Sequence, residues 1–126
     1  MKHWLLVLAA PLAVALSILP ADATAADSAS VVEVVTFRLK PGVSAAEFAR
    51  VDEQVELQHV SQQPGFISRE SAVGTNNDWL VIVHWRSVPD AEASMGSFEK
   101  APAAASFMSK IEGPTMSMKR YQAPPK

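Results

Sequence analysis

Val31 to Lys40 (VVEVVTFRLK) is rich in β-branched residues and stops at Pro41-Gly42, which predicts a first strand closed by a turn. Ser44-Ala45-Ala46-Glu47 fits a capping box: the serine oxygen accepts from the Glu47 amide, the glutamate reaches back, and a helix begins there. Phe48, Val51, Val55 and then Gln58 or His59 recur at three- and four-residue steps, an apolar helical stripe expected to end near Gln63, where Pro64-Gly65 cannot continue it. Phe66 to Thr75 reads as a second strand, Asn76-Asn77-Asp78 as a turn, and Trp79 to Arg86 (WLVIVHWR) as the strongest strand signal in the chain. Ser87-Val88-Pro89-Asp90 caps a second helix through Met95 and Phe98, with a break or kink expected at Pro102. A further helical piece carries Phe107, Met108 and Ile111 as far as Gly113-Pro114, and Thr115 to Gln122 (TMSMKRYQ) forms a last strand.

The order β-α-β-β-α-β is that of a ferredoxin-like α+β fold, an antiparallel sheet with its helices on one face. A sheet covered on one face should alternate apolar and polar residues, and two strands here do not. Trp79, Val81, Val83 and Trp85 face one side of the third strand, Leu80 and Ile82 the other. The first strand likewise sets Val31, Val35, Phe37 and Leu39 against Val32 and Val34. The helices supply cover for one face, so the second is expected to meet the sheet of an identical chain in a two-fold homodimer.

Composition changes this picture mainly at the N-terminus. The 126 residues are 48% apolar, but Trp4 to Leu19 is an apolar run behind Met1-Lys2-His3, followed by the small-residue pattern Ala21-Asp22-Ala23-Thr24-Ala25. This reads as a secretory signal peptide over residues 1–25, too short and too interrupted to span a bilayer. A disordered linker is expected over 26–30, the folded domain over 31–122 and a disordered tail over 123–126. The protein is then exported, periplasmic or secreted, with no stable membrane insertion after cleavage. A formal charge of −2 argues against a nucleic-acid partner, and the absence of cysteine removes disulfides, thiol catalysis and cysteine metal ligands.

Three stretches, Phe37-Arg38-Leu39-Lys40-Pro41-Gly42-Val43, Gln63-Pro64-Gly65-Phe66 and Val83-His84-Trp85-Arg86-Ser87, resemble in order and spacing the antibiotic-biosynthesis-monooxygenase-like family of dimeric α+β barrels. The resemblance runs from about Val31 to Tyr121. It implies that two sheets close into a barrel and that each chain keeps a pocket between its sheet and its helices. It further implies a monooxygenase-like activity of the cofactor-independent kind on a small aromatic or quinol-type molecule, or a non-catalytic ligand-binding or interaction role on the same fold. The tryptophan that borders the pocket in the oxygenase branches corresponds to Trp85. A first-strand asparagine used by several oxygen-activating members falls near Val35, where this chain has valine. The haem-degrading branch needs a histidine on its second helix, and this sequence has none after His84.

Candidate chemistry is correspondingly sparse. Of three histidines, His3 leaves with the signal peptide, so one chain cannot build a three-histidine metal site, and neither a metal nor a cofactor is expected. His59 and His84 either approach each other as a base or proton relay, or each hydrogen-bonds at the edge of the core. Trp85, Phe37 and Val35 are candidate walls for an aromatic substrate, with Arg38, Arg69, Arg86 or Tyr121 as polar partners. Strand parity alone does not decide which of these point inward.

Overall fold

The computed structural model describes residues 30–126; the signal peptide and nearly all of the linker expected from the sequence lie outside the described residues. The elements are β1 (Val31–Leu39), α1 (Ala45–Gln58), a 3₁₀ turn (Val60–Gln62), β2 (Phe66–Val73), β3 (Asp78–Trp85), α2 (Val88–Phe98), α3 (Pro102–Ser109) and β4 (Ile111–Gln122). All pairings are antiparallel, and the sheet order is β2-β3-β1-β4, so the two most apolar strands lie at its centre. The ferredoxin-like reading therefore holds.

Local signals explain the element boundaries. Ser44 Oγ accepts from the Glu47 amide at 3.1 Å, the first half of the capping box. The second half is absent, because Glu47 Oε1 takes an ion pair from Lys110 Nζ at 3.0 Å and so ties the start of α1 to the end of α3. At α2, Ser87 Oγ accepts from the Asp90 amide and also donates to Asp90 Oδ2 at 2.7 Å. Asn76 and Asn77 both have positive φ, 54° and 62°, the geometry of a two-residue hairpin turn whose twist matches that of the strands it joins. Gly65 has φ +81°, and a Cβ there would overlap the Asp90 carboxylate, so both its conformation and its surroundings require glycine.

Two boundaries differ most from the sequence reading. The first helix stops at Gln58 rather than Gln63, because His59 leaves helical geometry (φ −132°, ψ −68°) and the tighter turn that follows swings Val60 into the core. The last strand begins at Ile111 and runs through Gly113-Pro114. Proline is tolerated because β4 is an edge strand and the ladder shifts register between Thr36 and Arg38, so no ladder hydrogen bond is asked of it there.

The helix-facing side of the sheet presents Val31, Phe37, Leu39, Trp79, Val81, Val83 and Trp85, all buried. Over it pack Phe48 and Val55 of α1, Ala91 of α2 and Ala103, Ala104 and Phe107 of α3. Edge-to-face pairs join Phe48 to Phe37 (5.6 Å) and to Trp79 (4.8 Å), and Phe107 to Phe37 (5.6 Å). The opposite face carries Val32, Val34, Leu80, Ile82 and His84, half-buried in the single chain.

One charged contact fastens α1 to β2. Asp52, on the inner side of α1, accepts from Arg69 Nη2 at 2.6 Å and Nη1 at 3.0 Å and from Ser71 Oγ at 2.6 Å. Its side chain and that of Arg69 are 7% and 3% exposed. Removing one partner leaves an uncompensated buried charge, which typically costs about 3–5 kcal/mol. Asp52→Ala is expected to lower unfolding free energy in urea by about that amount. A loss below about 1 kcal/mol would show that the pair behaves as a solvated surface contact.

Candidate functional site

Between the sheet and the helices lies a cavity of about 510 Å³, within the range of small-molecule sites. Its floor is the middle of the two central strands: Val35 and Phe37 from β1, and Val81, Val83 and Trp85 from β3. The roof comes from Met95 and Phe98 on α2 and from Ala101 and Ala104 around the α2–α3 break, with Val55 and Val60 at one side. The break at Pro102 thus contributes to the site: the residues between the two short helices turn toward the sheet and meet the cavity.

Of the residues singled out from the sequence, Val35, Phe37, Arg69 and Trp85 line this space together. Trp85 is 1% exposed, stacks edge-on against Phe66 at 6.0 Å, and its Nε1 has no partner among the described residues. The remaining candidates lie elsewhere. Arg38 and His84 sit at even positions of β1 and β3, opposite in parity to the cavity-lining residues, and the exposed Tyr121 pairs in register with Val32, which also faces outward. Arg38 extends to Asp78 at 3.7 Å on the surface. Arg86 is bound to Asp90 at 3.1 Å at the start of α2 and does not reach the cavity.

His59 and His84 do not meet, because the sheet lies between them. His59, 7% exposed, places Nε2 2.8 Å from Ser97 Oγ at the seam of α1 and α2. Ser97 Oγ in turn reaches the Ser94 carbonyl at 3.0 Å and Gln63 Oε1 at 3.2 Å. The serine donates to one of these acceptors, so it accepts from a neutral imidazole protonated at Nε2, and Nδ1 is left buried without a partner. Burial holds the His59 pKa below its ordinary value of 6.5. This is a helix-to-helix fastening outside the cavity wall, not a relay to the other histidine.

Two charged groups, one in the cavity wall and one behind it, are not among the residues the sequence singles out. Asp52 holds Arg69, and Glu33 lies on the cavity wall at 5% exposure, paired through Oε2 with Arg120 Nε at 2.8 Å. The signal for Glu33 was available: it stands between Val31 and Val35 at an inward position of β1, where every neighbour on that face is apolar. Asp52 carries a comparable signal, standing four residues after Phe48 and three before Val55 on the inner stripe of α1, but its partner lies on a strand that helical spacing does not identify.

The depressed pKa of His59 has a definite consequence for stability. The unfolded chain takes up the proton near pH 6.5 while the folded chain resists it until lower pH, so stability is complete above that value and declines as pH falls below it. Urea midpoints measured between pH 7.5 and pH 5 should fall with acidification, and His59→Gln should flatten part of the slope. A variant with the wild-type slope would remove His59 as its source.

No family model matches the chain, and no curated protein matches it by sequence. Solved structures do match its fold. SnoaB, a cofactor-independent oxygenase from Streptomyces nogalater, superposes with a TM-score of 0.64 at 18% identity over 79% of this chain and 97% of its own. A candidate antibiotic biosynthesis monooxygenase from Caulobacter crescentus gives 0.63 at 18% identity over 78% and 92%. A candidate monooxygenase from Shewanella loihica gives 0.58 at 14% identity over 79% and 98%. The chain therefore shares, over most of its length, the ferredoxin-like fold of the antibiotic biosynthesis monooxygenase-like proteins.

Proposed function

We propose that this protein is an exported, homodimeric monooxygenase-like protein that oxidises a small aromatic or quinol-type molecule in the cavity beside Trp85, without a cofactor. The observation that carries the reading is the cavity itself. At about 510 Å³ it accommodates a bicyclic ring system, and its walls are almost wholly apolar and aromatic. In the reaction class in question the deprotonated substrate is itself the electron donor to dioxygen, so the protein's tasks are to exclude water, orient the ring and place the departing proton. Phe37, Trp85 and Phe98 supply flat apolar walls for that purpose.

A second reading, a ligand-binding protein that performs no oxidation, draws on Val35. This residue lines the cavity near the position where the family resemblance leads one to expect an asparagine, and the valine side chain can neither donate nor accept a hydrogen bond. The alternative in which the chain's own side chains fill the pocket is disfavoured by its volume.

Oxygen uptake with a panel of dihydroxynaphthalene-type quinols separates the two readings. The oxygenase reading expects uptake above the protein-free rate and a reduction of at least about tenfold in Trp85→Phe, with the fold checked by circular dichroism. Binding across the panel without uptake would establish the second reading, and neither binding nor uptake would defeat both.

The homodimer rests on the outer sheet face. Val32, Val34, Leu80 and Ile82 form a continuous apolar surface there, and no element among the described residues covers it. A patch of this kind on a monomer invites association, and a two-fold pairing of sheets buries it in one step. Light scattering should give twice the monomer mass, and Ile82→Asp should shift it to one. A wild-type monomer at micromolar concentration would overturn the pairing.

A further inference from the structure

The sheet wall of the cavity carries two charged groups, and they are not equivalent. Arg69 has both terminal nitrogens on the Asp52 carboxylate, at 2.6 and 3.0 Å, with Glu56 a further 3.8 Å away. Its charge is cancelled within the protein, and it presents no free cation to an incoming anion. Glu33 is held by one oxygen only. Oε2 accepts from Arg120 Nε, whereas Oε1 accepts nothing among the described residues and is not sealed from contact. Since the side chain is 6% exposed and borders the cavity, the cavity is where Oε1 has room to be reached.

A purely structural ion pair between β1 and β4 does not account for this arrangement. A pair built only to join the strands gains nothing from leaving one carboxylate oxygen without a partner in apolar surroundings. Placed inward, the carboxylate is dehydrated and keeps one acceptor oxygen free in otherwise apolar surroundings, where a hydrogen bond counts for more than in water. Arg120, which is not part of the lining, holds the other oxygen and fixes the side chain's direction.

We propose that Glu33 Oε1 anchors the occupant of the cavity and selects ring molecules that enter neutral and donate a hydrogen bond through O–H or N–H. A carboxylate would meet Glu33 with no free cation in the lining, and Glu99 adds a second negative charge at the rim. This inference rests on the reading of the cavity as a ligand site.

Isothermal titration calorimetry of the full chain at pH 7 with 2-naphthol, 2-methoxynaphthalene and 2-naphthoate tests it, since the three share a ring system and differ in one group. The naphthol should bind at least about tenfold more tightly than the methyl ether, which has lost the donor, and than the carboxylate. In Glu33→Gln the naphthol should weaken while the naphthoate strengthens, because the repulsive charge is gone and Arg120 is released. A merely structural lesion would weaken all three. If the variant does not fold, the wild-type ranking decides alone. Equal binding of naphthol and methyl ether, or preference for naphthoate, overturns the role of Glu33 while leaving the cavity a ligand site. Failure of all three probes to bind defeats the cavity reading itself.

Discussion

The edge-to-face packing of Phe48 against Phe37 and Trp79, with Phe107 closing the group, determines where empty space can exist in this molecule. These rings fill the layer between sheet and helices at the end of the sheet near Leu39 and Trp79, and each pair contributes about 0.5–1.5 kcal/mol beyond area burial. They also hold α1 and α3 a ring's thickness above the strands. Toward the Trp85 end the roof is mixed, with Met95 and Phe98 of α2 standing beside the short side chains of Ala101 and Ala104, and the layer there is not filled. A layer packed by interlocked rings at one end and covered by this mixed roof at the other leaves a cavity. The site is thus a product of uneven packing, and the same contacts that stabilise the domain make room for an occupant.

Charge placement follows a similar division. Asp52 and Arg69 satisfy each other bidentately, with Ser71 taking one more position on the carboxylate, so this pair is locked into the fold. Glu33 and Arg120 are joined through a single contact. Both pairs cross between elements, but only the second keeps an acceptor free on the cavity wall. In an interior of low dielectric a fully satisfied pair is electrostatically quiet, while a partly satisfied one dominates the local chemistry.

Much of the architecture was legible because the central strands advertise themselves: the odd and even positions of β1 and β3 fall on the two faces that parity assigns, and Ser44 and Ser87 cap the helices they announce. The site was legible only in part. Val35, Phe37 and Trp85 follow from the same parity, and Arg69 could be named but not oriented. Arg38, His84 and Tyr121 share a face that the sheet turns away from the helices, and which face the helices take is a property of the assembled layer. The end of α1 comes earlier than the apolar stripe indicates because His59 departs from helical geometry before the proline, and β4 starts earlier because an edge strand with a register shift tolerates Pro114. Glu33 was masked by its surroundings: within a run of valines, one carboxylate reads as an interruption of the strand, although its inward parity is the informative fact.

The turn at Gly65 links this interior to the evolution of the sequence. Its carbonyl accepts from the Arg86 amide at 2.8 Å, and the space where a side chain would stand is filled by Asp90. Asp90 also completes the cap of α2, the helix that roofs the cavity. Positions 65 and 90 therefore cannot drift independently. A larger residue at the turn meets the strain of a positive φ and in addition requires that the aspartate be shortened or lost, a change that loosens the cap. A lineage that re-aims the start of this roof helix therefore meets a backbone constraint and a capping constraint together, while the roof side chains further along the helix stay free to vary.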